Sequence, residues 1–197
     1  EKRTVADAEG YLEIVTSPTN DFLWEKVKDY KLINVLEIGS NSGGLLFYIA
    51  KKYQNTNFYG VDININSINV AKKYSKENNF TNVNFFTGDI RNIENVFANL
   101  NVKKFDLIFT WATLIYVRPK EIGSILKKLT ESTRKLILIE QHSKNLRFRY
   151  RGKLTSSGRN YLRNYEKILR LQGIEKNQIN VVEVPNKVWQ PGGGFAK

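Results

Sequence analysis

The feature that most constrains the fold is a short apolar run that ends in closely spaced glycines. It reads Val35-Leu36-Glu37-Ile38-Gly39-Ser40-Asn41-Ser42-Gly43-Gly44, and apolar residues then recur at helical spacing. Glycine lets the backbone turn tightly and lets a ligand approach the main chain. The first turn of the following helix offers free N–H groups and a partial positive charge. The segment therefore predicts a buried strand, a ligand-binding turn and a helix.

Short β-rich runs alternate with longer helical runs in the rest of the chain, which is typical of a sheet with helices on both faces. We predict strands at residues 32–38, 57–61, 83–86, 105–110, 135–140 and 179–184, and helices at 43–53, 64–77, 119–129 and 158–171. The predicted fold class is α/β, a Rossmann-like three-layer α/β/α sandwich in a single domain. Its sheet is mostly parallel, and residues 189–197 are expected to begin a C-terminal antiparallel strand.

The chain has 197 residues, the length of one ordinary domain. We interpret residues 1–31 as an N-terminal helical cap segment, with a helix over 21–30, and residues 32–197 as the ligand-binding domain. No apolar run approaches the ~20 residues that a membrane-spanning helix needs, and no targeting segment is visible. We therefore expect a cytoplasmic protein without membrane insertion. The oligomeric state is not predicted by any pattern in the chain.

Residue usage excludes several kinds of chemistry. The chain has no cysteine, so thiol nucleophiles, thiolate metal ligands and disulfides are all excluded. It has one histidine, which makes a histidine-built metal site improbable, and we predict no metal. Asp62 lies at the tip of the predicted second strand, where a carboxylate can accept the ribose hydroxyls of either a dinucleotide or another adenosyl ligand.

The glycine-rich turn separates these two ligand classes. A dinucleotide site requires G-x-G-x-x-G, in which the middle glycine admits a pyrophosphate, but Asn41 occupies that position. An acidic residue, Glu37, also precedes the first glycine by two. This pattern resembles motif I of the class I S-adenosylmethionine-dependent methyltransferases. The resemblance implies that S-adenosylmethionine is the cofactor and that Glu37 lies near its amino group, with Gly39, Ser40, Asn41 and Gly43 along its path.

The tips of the next three predicted strands strengthen this resemblance, because they follow in the family's order and spacing. By the same resemblance, acids contact the ribose and the adenine amino group, apolar neighbours cover the adenine ring, and the fourth tip borders the reacting methyl. The cofactor-binding residues that it implies are Asp62 and Ile63, Asp89 and Ile90, and Thr110 and Trp111. The resemblance covers residues 33–141 well and the flanks weakly.

Methyl transfer from a sulfonium needs a base only where the acceptor must lose a proton. His142, two residues past Glu140, is the only imidazole in the chain, and we take it as the first candidate base. A surface or loop-anchoring role explains this histidine equally well. Tyr116 is a second candidate, although its apolar neighbours are typical of ordinary core.

Residues 144–170 contain nine basic residues and one acidic residue, so this segment carries most of the chain's net charge of +12. Within this segment Arg147-Phe148-Arg149-Tyr150-Arg151 alternates with period two, so an extended chain would present its guanidinium groups on one face. Guanidinium groups suit phosphate or carboxylate, and aromatic rings suit a sugar or base. We predict Arg147, Arg149, Tyr150 and Arg151 as substrate-binding residues, and a solvated basic loop is the alternative.

Two acceptors fit this segment. A small anionic metabolite is favoured, with O-methylation of a sugar or nucleotide-linked sugar first, because residues 114–119 and Tyr150-Arg151-Gly152 resemble methylases associated with surface-polysaccharide and pseudaminic acid biosynthesis. RNA is the second acceptor, with the basic residues tracking phosphates. Against RNA, Thr110-Trp111-Ala112-Thr113 lacks the motif of base-amino methylases. A binding protein of the same fold without turnover is a third reading.

Overall fold

The structure, a computed structural model, describes residues 4–12, 18–145, 151–155, 158 and 160–184. Within them the helices are α1 (Val5–Leu12), α2 (Pro18–Val27), α3 (Gly44–Ala50), α4 (Ile65–Glu77), α5 (Ile93–Leu100), α6 (Ile122–Ser132) and α7 (Tyr165–Arg170). The strands are β1 (Asn34–Ile38), β2 (Asn57–Asp62), β3 (Val83–Thr87), β4 (Phe105–Trp111), β5 (Thr133–Ile139), β6 (Lys153–Leu154) and β7 (Tyr161–Leu162).

The central sheet has the strand order β3-β2-β1-β4-β5, and every pair in it is parallel. Val35 lies opposite Phe58 on one side and Leu107 on the other. The chain moves outward in one direction from β1 to β3 and then crosses to β4 on the other side of β1. Ligands bind at such a switch point, beyond the carboxyl ends of the strands. The predicted α/β sandwich and its central strands are confirmed.

Apolar side chains cover both faces of the sheet because successive strand residues point to opposite faces. Val35 and Leu107 pack with α2, α3 and α4 on one face. Leu36 and Ile108 pack with α5, α6 and α7 on the other. The helix predicted at 119–129 is found as α6, and the apolar residues that recur in it at helical spacing are fully or almost fully buried: Ile122, Ile125, Leu126 and Leu129. The helix predicted at 64–77 is found as α4, and Asn64 caps it because its Oδ1 accepts from the Asn66 N–H at 3.0 Å.

The N-terminal segment packs directly on this domain. Leu23 and Val27 of α2 belong to the apolar cluster on the α3 face, and the Ser42 hydroxyl donates to the Ala8 carbonyl of α1 at 2.7 Å. The helix predicted at 21–30 is found as α2, shifted toward the start of the chain. The division into a cap and a domain stays an interpretation. Among the described residues, no helix is long and apolar enough to cross a bilayer.

The helix predicted over 158–171 is wrong in its first half. Residues 161–162 pair with 153–154 as the antiparallel ribbon β6–β7, and of the described residues in this range only Tyr165–Arg170 are helical. Asn164 sets the helix start because its side chain accepts from the Lys167 N–H at 2.9 Å. Arg163, just before this cap, is fully buried. Tertiary hydrogen bonds thus override the local helical pattern.

The strand predicted at 179–184 is also wrong, since these residues belong to no strand. Val181 and Val182 are exposed, and no described strand pairs with this segment. A β-branched run forms a strand only where a neighbouring strand takes up its main-chain hydrogen bonds. The antiparallel strand predicted from residue 189 lies outside the described residues.

Candidate functional site

The turn after β1 adopts left-handed backbone conformations at three residues. Gly39 and Gly43 have φ values of 80° and 83°, and Asn41 has a φ of 50°. Asparagine enters this region more readily than most residues, so it can replace the middle glycine of the motif. A Cβ at Gly39 would lie 1.9 Å from Thr113 Oγ1, and one at Gly43 would lie 2.3 Å from the Phe85 ring. Both glycines are therefore required by packing within the protein.

Hydrogen bonds join the tips of the first three strands. The N–H groups of Gly39 and Ser40 donate to the Val61 carbonyl at 2.7 and 3.0 Å. Gly88, after β3, donates to the Asp62 carbonyl at 2.9 Å. The Asp62 carboxylate accepts from the N–H groups of Asn41 at 2.9 Å and Asn64 at 2.8 Å. These strand ends form one continuous edge, as their spacing along the chain predicted.

Glu37 is a buried carboxylate, only 4% exposed. Its Oε2 atom is buried without a hydrogen-bond partner among the described residues. Burial raises the pKa of Glu37 well above its ordinary value, and the nearby Asp62 charge raises it further. Two neighbouring carboxylates, one of them uncompensated, form a site that a cation would stabilise.

Two further polar atoms in the same turn lack a partner. Ser40 Oγ and Asn41 Oδ1 are buried and accept or donate no hydrogen bond within the described part of the chain. Buried polar atoms are ordinarily paired, so several orphans together require an explanation. Together with Glu37 Oε2, these are three unpaired polar atoms within five consecutive residues, 37–41, at the switch point of the sheet. A polar ligand that carries a cationic group fits this arrangement.

Asp89 is already paired inside the protein. Its carboxylate accepts from the Arg91 main-chain N–H and from Arg91 Nε, both at 2.9 Å. The guanidinium hydrogen bond is the main reason that the pKa of Asp89 is lowered. The predicted contact of Asp89 with adenine stays a prediction, and it would have to share the carboxylate with Arg91.

The apolar residues predicted to contact the cofactor, two at the adenine ring and Trp111 at the fourth strand tip, differ in exposure. Ile63, directly after Asp62, is 61% exposed, which is unusual for a large aliphatic side chain beside a polar site. Ile90 is half-buried against the apolar cluster on the α5 face. Trp111 is half-buried against the opposite cluster. Ile63 is therefore the residue of this group that offers a free apolar surface.

Thr110 at the end of β4 is fully buried. Its hydroxyl donates to Glu140 Oε1 at 2.7 Å. Thr113 and Leu114 donate their N–H groups to the same oxygen at 3.0 Å. The predicted cofactor contact of Thr110 stays a prediction, and its hydroxyl is already bonded to Glu140.

Glu140 was not singled out from the sequence. Besides these bonds at Oε1, its Oε2 accepts from the Ile115 N–H at 3.3 Å. Burial raises the pKa of Glu140, although its four hydrogen bonds oppose that shift. The sequence offered one signal for this residue: an acidic side chain directly after the predicted fifth strand, whose end lies beside the tip of the fourth. Glu140 holds the N–H groups of the loop that follows β4.

His142 lies just beyond β5 and is half-buried. Its Nδ1 atom accepts from the Tyr165 N–H at 3.3 Å, and its Nε2 atom has no partner among the described residues. Burial lowers the pKa of His142, the Lys144 charge lowers it too, and Glu166 opposes them. This hydrogen bond assigns the proton of the neutral ring to Nε2. A base at Nε2 would then first have to change tautomer.

The other predicted catalytic and substrate residues are only partly described. Tyr116 ends a short 3₁₀ turn, Leu114–Tyr116, and is 51% exposed. Arg151 is exposed next to β6. Arg147, Arg149 and Tyr150 lie outside the described residues. All these roles stay predictions.

Arg163 is the second functional candidate that the sequence did not reveal. It is fully buried, and its guanidinium donates to main-chain carbonyls of the loop after β4 and of Arg151. Nη1 donates to Leu114 O at 2.8 Å, Nη2 donates to Val117 O, and Nε donates to Arg151 O at 2.8 Å. A buried cation inside a basic segment cannot be distinguished by sequence from its solvated neighbours.

A surface groove of about 590 Å³ runs beside α7. Three basic side chains and two acidic ones line it together with polar and aliphatic residues: Lys144, Asn164, Glu166, Lys167, Arg170, Leu171, Ile174 and Glu175. The mixed charge makes it a weak anion site, and it does not include the orphaned atoms of the β1 turn. Among the described residues, no three side chains of His, Asp or Glu are grouped as a metal would require, and the absence of a metal stays a prediction.

Comparison with known proteins identifies the class. The family model described as "Methyltransferase domain" matches residues 29–181, so the chain belongs to the methyltransferase domain family. This membership confirms the predicted class, a class I S-adenosylmethionine-dependent methyltransferase, and the predicted cofactor. The orphaned polar atoms at Glu37, Ser40 and Asn41 agree with a ligand that carries an amino acid moiety.

A curated relative, the release factor glutamine methyltransferase of Buchnera aphidicola subsp. Schizaphis graminum, is 27% identical over 124 residues, which are 60% of this chain and 41% of that protein. The chain thus spans well under two thirds of this relative. Among solved structures, coclaurine N-methyltransferase bound to N-methylheliamine and SAH matches with a TM-score of 0.59 and 19% identity over 78% of this chain and 46% of that one. Magnesium protoporphyrin IX methyltransferase of Synechocystis PCC 6803 with bound SAM matches with a TM-score of 0.54 and 19% identity over 83% and 69%.

Proposed function

We propose that this chain transfers the methyl group of S-adenosylmethionine to a hydroxyl of a small anionic metabolite, first among them a sugar or nucleotide-linked sugar. The observation that supports the donor half most strongly is the uncompensated carboxylate of Glu37 at the switch point of the sheet. The basic segment beyond β5 supports the acceptor half. The cofactor supplies an already activated methyl group, so the protein contributes mainly alignment.

The residues around the β1 turn have distinct roles in this proposal. Glu37 would accept from the ammonium group of the donor, and its neighbour Asp62 would accept the ribose hydroxyls with the lone pairs that its two main-chain bonds leave free. The exposed side chain of Ile63 would cover the adenine. Fixing two reactants in line can lower a barrier by roughly 7 to 11 kcal/mol. The hydroxyl proton of the acceptor would pass to a base, for which His142 is the first candidate.

Arg151 and the residues before it are the acceptor-binding candidates. Arg151 lies where the β6–β7 ribbon meets the loop after β4, because its carbonyl accepts from Arg163. That loop borders the site of methyl transfer in the family that the chain belongs to. A guanidinium near this point favours a phosphate or carboxylate on the acceptor.

Isothermal calorimetry of the whole chain with S-adenosylmethionine and S-adenosylhomocysteine tests the donor half. We expect one binding event per chain with each ligand. A folded protein that produced no binding heat with either would refute the cofactor assignment. Mass spectrometry of candidate metabolites, incubated with protein and donor, then identifies the acceptor by the gain of one methyl group.

His142 can be tested as a base with His142→Asn, whose Oδ1 can still accept from the Tyr165 N–H while the imidazole is removed. If His142 is the base, turnover should fall by roughly 10²- to 10⁴-fold and S-adenosylhomocysteine affinity should stay unchanged. Turnover equal to wild type in this variant would leave His142 with an anchoring role only.

RNA is the second candidate acceptor, and the net charge of +12 is the observation in its favour. Many phosphate contacts would make retention on RNA fall steeply as salt is raised. A compact sugar site predicts weak retention at every salt concentration.

The cytoplasmic location expected from the sequence stays a prediction.

A further inference from the structure

The loop at residues 113–117, between β4 and α6, is held by two buried polar side chains, Glu140 and Arg163, from opposite directions. Glu140 accepts the N–H groups of Thr113, Leu114 and Ile115 at 3.0 to 3.3 Å. Arg163 donates to the carbonyls of Leu114 and Val117. One side chain thus satisfies the donors of the loop and the other satisfies its acceptors.

Both side chains are chemically matched to this task. A carboxylate accepts several hydrogen bonds and donates none, and a guanidinium carries five donors in a rigid planar fork. Arg163 uses four of these donors on main-chain carbonyls, including Tyr161 O at 3.4 Å, and its guanidinium carbon lies 5.0 Å from the Tyr161 ring centroid. A lysine has one nitrogen and cannot reach carbonyls on three segments at once.

The loop contacts the turn after β1 (residues 39–43, called the cofactor turn below) at Thr113. Thr113 occupies the space in which any residue other than glycine at position 39 would place its Cβ. Ala112, just before it, has a φ of 47°, an uncommon conformation for a residue with a Cβ. The loop is therefore held against the cofactor turn in a conformation that it would not favour alone.

Arg163 also reaches the acceptor side of the site. Its Nε atom donates to the Arg151 carbonyl at 2.8 Å, and the loop carbonyls that it holds flank the exposed ring of Tyr116. The same guanidinium thus joins the wall of the donor site to the segment expected to contact the acceptor.

We propose that Glu140 and Arg163 are positioning residues, which hold the 113–117 loop against the cofactor turn and fix Arg151 beside it. This inference rests on the proposed function, because it assigns the loop to the wall between donor and acceptor. Neither side chain touches the reacting atoms. Both act through the loop, so their removal should loosen this wall before it affects the rest of the fold.

The test compares Arg163→Met and Glu140→Ala with Leu129→Ala, a control that removes a fully buried core side chain of α6 near its C-terminal end, away from the loop. Amide hydrogen exchange followed by mass spectrometry reports on residues 111–117, and calorimetry with S-adenosylhomocysteine reports on the donor site. We expect faster exchange in this loop and about tenfold weaker binding in the first two variants. Leu129→Ala should lower thermal stability without either effect.

Conservative variants keep the test valid if a truncation fails to fold. Glu140→Gln retains one carbonyl oxygen that can serve Thr110, Thr113 and Leu114, so we expect near wild-type exchange and affinity. Arg163→Lys keeps the charge but not the fork, and we expect an intermediate loss. Wild-type exchange and affinity in both Arg163 variants, or equal changes in Leu129→Ala, would overturn the proposal. Absence of binding by the wild-type protein would instead refute the donor site, and the exchange measurement would still decide whether the two side chains hold the loop.

Discussion

Asp62 and Asp106 each accept hydrogen bonds from two main-chain N–H groups, at opposite ends of the sheet. Asp106 also forms an ion pair with Arg134 at 3.3 Å, and such a pair with an exposed partner contributes little to stability. Asp62 accepts from two main-chain N–H groups at 2.9 and 2.8 Å, and Asp106 accepts from Ile33 and Asn34 at 2.8 and 2.9 Å. We expect Asp62→Asn and Asp106→Asn to lower thermal stability to a similar degree. Only Asp62→Asn should also weaken S-adenosylhomocysteine binding in calorimetry, by at least about tenfold, because a carboxylate hydrogen bond is worth roughly 1.5–3 kcal/mol. Equal affinities in the two variants would remove Asp62 from the cofactor site.

Glu37 is expected to destabilise the ligand-free protein at neutral pH. A carboxyl group whose pKa is raised on folding contributes stability below its unfolded pKa, near 4.5, and loses that contribution as pH rises through the folded pKa. We therefore expect Glu37→Gln to melt at a higher temperature than wild type at pH 7, with the difference vanishing near pH 4. The same variant should bind S-adenosylmethionine more weakly. A lower melting temperature for Glu37→Gln at pH 7 would show that its carboxylate has a partner in the free protein.

At this scale the sequence predicted Glu37, Asp62 and Ile63 as cofactor-binding residues, because motif spacing along the chain is visible without coordinates. It did not identify Glu140 and Arg163. Their partners are main-chain groups of a loop that is 25 to 49 residues away in sequence. Nothing in the side-chain types near either residue encodes such a contact.

The turn after β1 and the loop after β4 act as one packed unit at the scale of elements. An alanine at position 39 would have to adopt a φ near 80° and place its Cβ 1.9 Å from Thr113 Oγ1. Gly158 has a φ of 68° with open space around it. Gly158→Ala therefore measures the cost of a positive φ at alanine without any steric clash. We expect Gly39→Ala to lower the free energy of unfolding by roughly 2–5 kcal/mol in denaturant titrations, and Gly158→Ala by about 1–2 kcal/mol.

Thr113→Ala should relieve part of the clash that Gly39→Ala creates with Thr113, but not the cost of a positive φ at alanine. We therefore expect the double variant to lose less unfolding free energy than the sum of the losses in the two single variants. Additive changes would mean that the two segments relax independently.

Elements with strong apolar patterns were predicted correctly, and elements that depend on distant hydrogen bonds were not. The stripe of α6 and the runs of β1 and β4 determine their burial locally. Residues 158–164 carry a helical pattern, yet Tyr161 and Leu162 form half of a ribbon because they pair with β6, and Arg163 turns inward. Residues 179–184 have strand propensity but pair with no strand among the described residues.

The whole molecule should be stabilised by its cofactor product. At a concentration one hundred times the dissociation constant, a ligand that binds only the folded state adds about 2.7 kcal/mol. For a chain of this length that corresponds to a rise in melting temperature of roughly 5–11 °C. We expect this shift with S-adenosylhomocysteine and none with NAD, because Asn41 stands where a pyrophosphate site requires glycine. Equal shifts with both ligands would indicate a general adenosine site.

The buried hydroxyl of Ser42 donates to the carbonyl of Ala8, so the start of the chain forms part of the wall behind the cofactor turn. This contact matters for laboratory versions of the protein. A shortened version that begins at residue 30 would leave that hydroxyl without its acceptor and expose the turn to solvent. Expression of the domain for crystallisation or screening should therefore keep the first helix, and a purification tag is better placed at the other end.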